Sequence, residues 1–349
     1  MANFWKKKQF WGTLIGLALL AYCVKDIRLS EIEALLDRVN PYWVILTIVT
    51  SFVFIASKAL RWRLAVSTNK DIPIWRSITL YSAGQFLGIV MPALTGQVGR
   101  VILFAKKEQL RKTFVFSTIV LEVLFDAITM ILFMFLTSLA FAFPENYRFM
   151  SYVVAGVTVG AVVILYLLVH YREKVENLNR RLSRDRWPGM YVVITKFLRS
   201  FCKGIELLRS SQHVFGCLAY SLVIWTLHVL VVWFLMLSFG LELPLAAAAV
   251  VMIINTIILM IPITPGNAGT FETAVSWSLA AFSVGRTDAV LFALALHIID
   301  LLPVVTCGLF FFKVDRAALR EIRERHKDDD LLDRLDDEGS YVEEEEEKV

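Results

Sequence analysis

The stretches that decide the fold are MPALTGQVGR, at residues 91–100, and IPITPGNAGT, at residues 261–270. Both contain the pattern PxxxGxxG in the same register. Proline removes a backbone donor and glycine destabilises a helix interior, so each stretch predicts a break in a helix. The matched positions are Pro92, Gly96, Gly99, Pro262, Gly266 and Gly269. We interpret the match as an internal repeat.

The composition of the chain places both breaks in a membrane. Of the 349 residues, 57% are hydrophobic and 19% are charged, whereas soluble domains have about 45–50% and about 25%. A membrane span needs about 20 apolar residues. Long runs poor in charge occur at 8–25, 42–60, 113–143, 151–169, 214–239 and 289–312. The sequence therefore predicts an all-α polytopic membrane protein with about six full spans, and it argues against a soluble enzyme.

The lysines and arginines predict the orientation, because cytoplasmic loops are enriched in both. The amino terminus and the segment after the second span, which contains Arg61, are basic and are assigned to the cytoplasm. Basic segments also flank the apolar run at 77–94 on both sides, which predicts a re-entrant hairpin from the cytoplasm. The run at 246–283 is predicted to enter the membrane from the side opposite to the cytoplasm. A re-entrant hairpin and two full crossings there both leave the carboxyl end in the cytoplasm.

The charged segments outside the membrane are predicted to be accessory. The membrane domain is expected to occupy residues 1–315, and the acidic residues 316–349 have the composition of a disordered tail. The basic loop at 171–209 is most simply an orientation signal and a surface for anionic lipid. Docking of a partner enzyme on that loop is the alternative.

The two repeat halves, 42–143 and 214–312, each place a hairpin between two spans, and the hairpins enter from opposite sides. This pattern is typical of an inverted-topology repeat with a site near the midplane. The N–H groups freed at a break favour an anion such as a lipid phosphate. The substrate-binding residues predicted at the breaks are Gly96, Gly99, Arg100, Gly266, Asn267 and Gly269. A bidentate phosphate contact is expected from Arg100.

Ionisable residues inside the apolar runs complete the predicted site. Glu122 and Asp126 are four residues apart and so share a helical face. Asp300 follows His297 by about one helical turn. Intramembrane carboxylates usually face a cavity or a partner, so these side chains are expected to bind a headgroup or carry a proton. A structural pair with Arg100 is the alternative for the first two.

Glu272 is a candidate of the same kind, because it lies in the first turn of the helix that leaves the second break. The alternative is an acid that only stabilises the amino end of that helix. For His297, the alternative is a neutral ring bonded to a carbonyl.

Four segments, taken in order, resemble the motifs of a known family: MPALTGQVGRVILFAKK, LEVLFDAI, PITPGNAGTFETA and HIIDLLPVVTCG. They resemble the flippase-like integral membrane family, the transmembrane region of lysylphosphatidylglycerol synthases. In that family an arginine often follows the first acidic residue of the helix that holds Glu122, whereas Val123 stands here. The resemblance implies a lipid-translocating membrane domain without the aminoacyl-transferase domain of the bifunctional members.

The predicted function is translocation of a phospholipid or lipid-linked substrate across the cytoplasmic membrane, with both termini in the cytoplasm. The sequence contains no Walker P-loop, so we expect no ATP hydrolysis. It also contains no metal cluster and no nucleophile motif, so we expect no enzymatic activity and neither metal nor cofactor. The expected partners are membrane lipids and not nucleic acid; a homo-oligomer and a cytosolic lipid-modifying enzyme stay open. Two other functions stay open as well. One is a non-catalytic partner of a lipid-modifying or glycosyl-transferring enzyme, and the other is a membrane enzyme acting on lipid headgroups.

Overall fold

The computed structural model describes residues 8–25, 37–90, 94–139, 210–259 and 264–315, together with short pieces between these ranges. Its helices are α1 (Lys8–Val24), α2 (Pro41–Val66), α3 (Ile74–Val90), α4 (Leu94–Lys107), α5 (Lys112–Ser138), α6 (Ser211–Ser238), α7 (Leu245–Leu259), α8 (Thr270–Ala280) and α9 (Arg286–Val314). Several predicted features fall outside the described residues. They are the two motif prolines, most of 151–169 and of the loop 171–209, and the tail 316–349.

Among the described residues, four helices are long and apolar enough to cross a membrane, namely α2, α5, α6 and α9. They have 26 to 29 residues and correspond to four of the predicted spans. The first predicted span is the apolar helix α1, which has 17 residues. Every regular element in this part of the chain is helical. The prediction of an all-α polytopic membrane protein is confirmed.

The helices between the spans are shorter and come in two pairs. The first pair, α3 and α4, has 17 and 14 residues, and the second pair, α7 and α8, has 15 and 11. At about 1.5 Å per residue, each helix is shorter than the roughly 30 Å hydrocarbon core of a bilayer. The order long, short, short, long therefore occurs twice, at α2 to α5 and at α6 to α9.

Helices α3 and α4 pack against each other as a hairpin whose open ends lie together. The carboxylate of Glu108, which follows α4, is buried and accepts a hydrogen bond from Arg76, in the first turn of α3, at 2.5 Å. Near the tip the two backbones touch, because a methyl group added to Gly96 would lie 2.5 Å from the Cα of Gly88. A short connection joins α2 to α3, so this hairpin opens at the end of α2.

Helices α7 and α8 form the second hairpin, which opens at the other end of α2. The backbone N–H of Asn40, just before α2, donates to the carbonyl of Ser238, the last residue of α6, at 2.9 Å. Asp288, in the first turn of α9, lies 3.9 Å from Arg38. The end of α6 and the start of α9 therefore both lie beside the start of α2. Short connections join them to α7 and α8.

The tips of the two hairpins meet. The second tip is the 3-10 turn Pro265–Asn267, and a methyl group on Gly266 would lie 3.3 Å from Cγ2 of Ile89, near the end of α3. Helix α1 covers the second tip, because a methyl group on Gly16 would lie 2.9 Å from the carbonyl oxygen of Ala268. A β-carbon at Gly16 would be too close to that backbone oxygen, so the glycine allows this approach. The re-entrant placement of both hairpins in a bilayer stays a prediction.

The centre of the fold is the antiparallel pair of α2 and α6. Trp43, near the start of α2, stacks on Phe234, near the end of α6, with ring centroids 5.6 Å apart. Buried apolar side chains of α5, α7, α8 and α9 surround this pair in one cluster. Lipid tails are as apolar as these side chains, so close packing and buried polar contacts hold the helices together.

A proline inside α9 requires one such polar contact. Pro303 has no N–H group and leaves the carbonyl of Ile299 without its helical donor. The hydroxyl of Ser51, on α2, donates to that carbonyl at 3.1 Å, and the serine is fully buried. The donor lost within one helix is thus replaced by a side chain of another.

Replacing Ser51 with alanine is therefore expected to lower the free energy of unfolding by about 1–3 kcal/mol, because a buried carbonyl loses its donor. Unfolding in mixed detergent micelles, followed by circular dichroism, measures the loss. The matched background is Pro303→Ala, which restores a backbone N–H and should make Ser51→Ala clearly less costly. Equal costs in the two backgrounds would contradict the assignment.

Candidate functional site

The first group of buried charges forms around Arg61, near the end of α2, whose side chain is 2% exposed. Its two terminal nitrogens donate to the two carboxylate oxygens of Asp126, on α5, at 2.6 and 3.0 Å. One of them also donates to the hydroxyl of Ser221, on α6, at 2.7 Å. Arg61 thus joins three spans, with the two-pronged geometry by which guanidinium groups bind carboxylates and phosphates.

A second ion pair joins the first hairpin to α5. Nη2 of Arg100, on α4, donates to Oε2 of Glu122, on α5, at 2.5 Å. The hydroxyl of Tyr81, on α3, donates to the other oxygen of the same carboxylate at 2.5 Å and accepts a hydrogen bond from Gln85 at 2.9 Å. The Arg100 guanidinium also lies over the Tyr81 ring, 4.6 Å from its centroid. Both helices of the hairpin therefore contact one carboxylate.

The four charges form one network, because Arg61 lies 3.8 Å from Glu122. Two guanidinium groups face two carboxylates, so the formal charge is balanced, as a buried cluster of ions requires. Exposure separates its members: the Asp126 side chain is 28% exposed, whereas the other three are 2–9% exposed. The Nε atoms of both arginines are buried and lack a hydrogen-bond partner among the described residues.

Glu122 and Asp126 do lie on one face of α5, but they accept hydrogen bonds from different arginines. The structural pair with Arg100, which was the alternative reading, is present for Glu122. Arg100 already donates to that carboxylate through Nη2, and a phosphate contact at this arginine stays a prediction.

Arg61 does not lie in a segment after the second span, because α2 continues to Val66 and buries this side chain. The membrane side of this end of α2 stays a prediction. A sequence signal for the burial existed. Phe54 and Arg61 are seven residues apart and so lie on the same helical face, and Phe54 is buried in the core. Tyr81 gave no comparable signal, since a tyrosine in an apolar helix is ordinary.

The second group of polar residues surrounds the second hairpin tip. The ring of His297, on α9, places Nδ1 2.7 Å from a carboxylate oxygen of Glu272, on α8. Its Nε2 lies 3.0 Å from the carbonyl oxygen of Gly266. The other oxygen of Glu272 accepts from the backbone N–H of Gly269 at 2.7 Å, and the ring stacks on Phe271 with centroids 4.3 Å apart. Glu272 thus does serve the start of α8, as its alternative reading states, and it also binds His297.

Asp300 belongs to neither group. Its carboxylate lies 3.6 Å from Nε2 of His228, on α6. The ring of His228 stacks on Phe54. His297, one turn earlier on the same helix, contacts Glu272 instead. The structure therefore separates Asp300 from His297, which the sequence had grouped.

The remaining predicted residues lie at the hairpin tips. Gly96 is buried and Gly99 is half-buried on α4. Asn267 lies in the second tip with φ of 58°, and its carbonyl accepts from Thr270 at 2.9 Å. Within the described ranges, no three His, Cys, Asp or Glu side chains come together as a metal site. The candidate site thus has two parts, one beside each hairpin.

Comparison with known proteins places the chain in a family. Residues 9–308 match the family described as the lysylphosphatidylglycerol synthase TM region. A UPF0104 membrane protein of Methanothermobacter thermautotrophicus is 24% identical over 280 residues, which are 74% of this chain and 81% of that protein. Another, of Pyrococcus horikoshii, is 21% identical over 330 residues, 88% of this chain and 97% of its own length. No solved structure matches. Since the family match covers both hairpins, three of the long spans and most of the fourth, the chain belongs to the lysylphosphatidylglycerol synthase TM region family.

Proposed function

We propose that this integral membrane protein translocates a phospholipid or a lipid-linked substrate across the cytoplasmic membrane, without ATP hydrolysis. The observation that carries the proposal is the network of Arg61, Arg100, Glu122 and Asp126. It joins the first hairpin to three spans inside the apolar part of the fold. Buried ion clusters of this kind are costly in a membrane and commonly mark a pathway for polar groups.

The headgroup phosphate is proposed to bind at Arg61. A phosphate offers the same pair of oxygens as a carboxylate, so it can take the place of Asp126 on the guanidinium fork. Asp126 is the most exposed member of the network and can turn to water when it is displaced. Arg100 stays bound to Glu122 and keeps the hairpin in place. The charge of Arg61 is balanced both before and after the phosphate binds, because one anion replaces another.

The hairpins supply the route for the headgroup. Both are too short to cross a bilayer, they open at opposite ends of α2, and their tips touch at Ile89 and Gly266. This arrangement supports two re-entrant hairpins that close the pathway from opposite sides. The open end of the first hairpin carries Lys70, Arg76 and Lys107, which supports its assignment to the cytoplasmic side.

Vesicles of phosphatidylglycerol and phosphatidylcholine test the proposal, with a fluorescent phosphatidylglycerol as the reporter of movement between leaflets. The variant Arg61→Lys keeps the charge but loses the fork. One charge-assisted hydrogen bond contributes about 1.5–3 kcal/mol, so translocation is expected to fall about tenfold or more. Arg38→Lys, the same change at a side chain that is 64% exposed, is the matched control.

Asp126→Asn separates a binding role from a structural one. This change removes the carboxylate that competes with the phosphate, so apparent affinity for the anionic lipid is expected to rise, whereas Arg61→Lys lowers it. A purely structural ion pair would not move the two affinities in opposite directions. Equal translocation by the wild type, Arg61→Lys and Asp126→Asn would overturn the assignment of the headgroup site.

A further inference from the structure

The ring of His297 faces a hydrogen-bond acceptor at each of its two nitrogens. Nδ1 lies 2.7 Å from a carboxylate oxygen of Glu272, and Nε2 lies 3.0 Å from the carbonyl oxygen of Gly266. A carbonyl oxygen can only accept. The hydrogen bond to Gly266 therefore requires a hydrogen on Nε2. The hydrogen bond between Nδ1 and the carboxyl group of Glu272 requires a second hydrogen.

Both contacts can be hydrogen bonds only if the pair carries two hydrogens. A neutral imidazole carries one N–H, and an ionised carboxylate carries no hydrogen. The second hydrogen therefore resides on Nδ1, which makes an imidazolium beside a carboxylate, or on the carboxyl group of Glu272. In both arrangements the pair holds one proton more than a neutral histidine beside a carboxylate. Both arrangements are neutral overall, which suits a site that is only 4–11% exposed.

We propose that Glu272 and His297 form a proton-binding site, and that one proton moves with each anionic lipid. This inference rests on the proposed function and names the ion to which lipid movement is coupled. A proton and a singly charged anionic headgroup together carry no net charge across the membrane. The proton is taken from water on one side and returned to water on the other, and no covalent bond forms.

The position of the pair explains how a proton affects the second hairpin tip. When the proton leaves, the ring keeps one N–H. The ionised carboxylate of Glu272 binds that hydrogen more strongly than the neutral carbonyl does, so His297 releases Gly266. Gly266 is the residue of the second tip that touches Ile89 of the first hairpin. Loss of the proton therefore loosens the second tip from α9 at the point where the two hairpins meet.

Within the described residues, ionisable groups on the neighbouring helices make contacts of their own. Helix α7, which packs on α8, contains no ionisable residue. From α1, Cys23 contacts the Thr273 hydroxyl at 3.6 Å. From α3, Tyr81 binds Glu122, and on α9 itself Asp300 faces His228. The shared proton thus belongs to Glu272 and His297.

Glu272→Gln is the sharpest variant, because it keeps both hydrogen bonds and removes the exchangeable proton. The amide NH₂ of glutamine can donate to Nδ1 of a neutral ring, while Nε2–H still donates to Gly266. The variant therefore mimics the proton-loaded pair permanently. Glu242→Gln, on the exposed connection before α7, is the matched control, and His228→Gln tests another intramembrane histidine.

The experiment uses vesicles of phosphatidylglycerol and phosphatidylcholine with a trapped pH-sensitive dye and fluorescent phosphatidylglycerol. With one proton per lipid, the ratio of labelled lipid between the leaflets should shift about tenfold per unit of pH difference, toward the alkaline side. The dye should report protons moving with the lipid. In Glu272→Gln the ratio of labelled lipid between the leaflets should not change with the pH difference. In Glu242→Gln and His228→Gln the ratio should change as in the wild type.

The outcomes separate this inference from the function on which it rests. Lipid movement without proton movement, or a Glu272→Gln variant that still follows the pH difference, overturns the proton site and leaves translocation standing. No lipid movement by the wild type at any pH difference overturns the proposed function, and the coupling falls with it.

Discussion

Replacing Glu122 with glutamine is expected to lower the free energy of unfolding by about 3–5 kcal/mol, because it leaves buried cations without their counter-ion. Glu122 binds Arg100 at 2.5 Å, lies 3.8 Å from Arg61 and accepts from Tyr81. Glutamine keeps the size of the side chain but removes its charge. The network then carries one excess positive charge in the apolar interior. Unfolding in mixed detergent micelles, followed by circular dichroism, measures the loss.

Two further variants serve as the control and the coupling test for Glu122→Gln. Glu242→Gln makes the same chemical change at an exposed side chain and should cost well under 1 kcal/mol, roughly the range of surface substitutions. Adding Arg100→Met to Glu122→Gln removes the excess charge, so the double variant should be more stable than Glu122→Gln. A double variant that loses the sum of the two single costs would show that the ion pair is not a coupled unit.

Replacing Gly269 with alanine is expected to cost about 2–5 kcal/mol, through two separate effects. The residue has φ of 83°, a conformation that costs a residue with a β-carbon about 1–2 kcal/mol. Its β-carbon would also strike the carbonyl oxygen of Gly16, on α1, and approach Cβ of Leu19 to 2.8 Å. Overpacking of this kind costs about 1–3 kcal/mol. Thermal unfolding in detergent measures the total.

Gly240 separates the two effects. It also has a positive φ, of 66°, but a methyl group there would meet nothing within 4 Å among the described atoms. Gly240→Ala should therefore show the conformational cost without the steric one. If Gly240→Ala and Gly269→Ala were equally destabilising, the close contact of α1 with the second tip would be refuted.

The hairpins could be predicted because their causes are local. Proline and glycine disfavour a helix interior in any surrounding, through their own backbone properties. The basic residues on both sides of the run at 77–94 indicate one membrane side by composition. Both signals are readable from neighbouring residues, and the structure has two antiparallel pairs of short helices at these places.

The partners of the charged residues could not be predicted, because they are set by contacts between distant parts of the chain. Arg61 reads as a loop cation, since a basic residue near the end of a span usually reaches water. Its burial depends on how α2 packs between α5 and α6, 65 and 160 residues away in the chain. In the same way, His297 is one turn from Asp300 but bonds to Glu272 and Gly266.

The sequence by itself determined that this protein is a helical membrane protein with two broken segments, because hydrophobic run length and helix breaking by Pro and Gly are properties of short stretches. The family to which it belongs follows from the order of its motifs along the chain. Only the tertiary structure decided which charges neutralise one another, and that the two tips touch at Ile89 and Gly266. The physical reason is that a buried charge is stable only beside a partner, and that partner is chosen by the packing of whole helices.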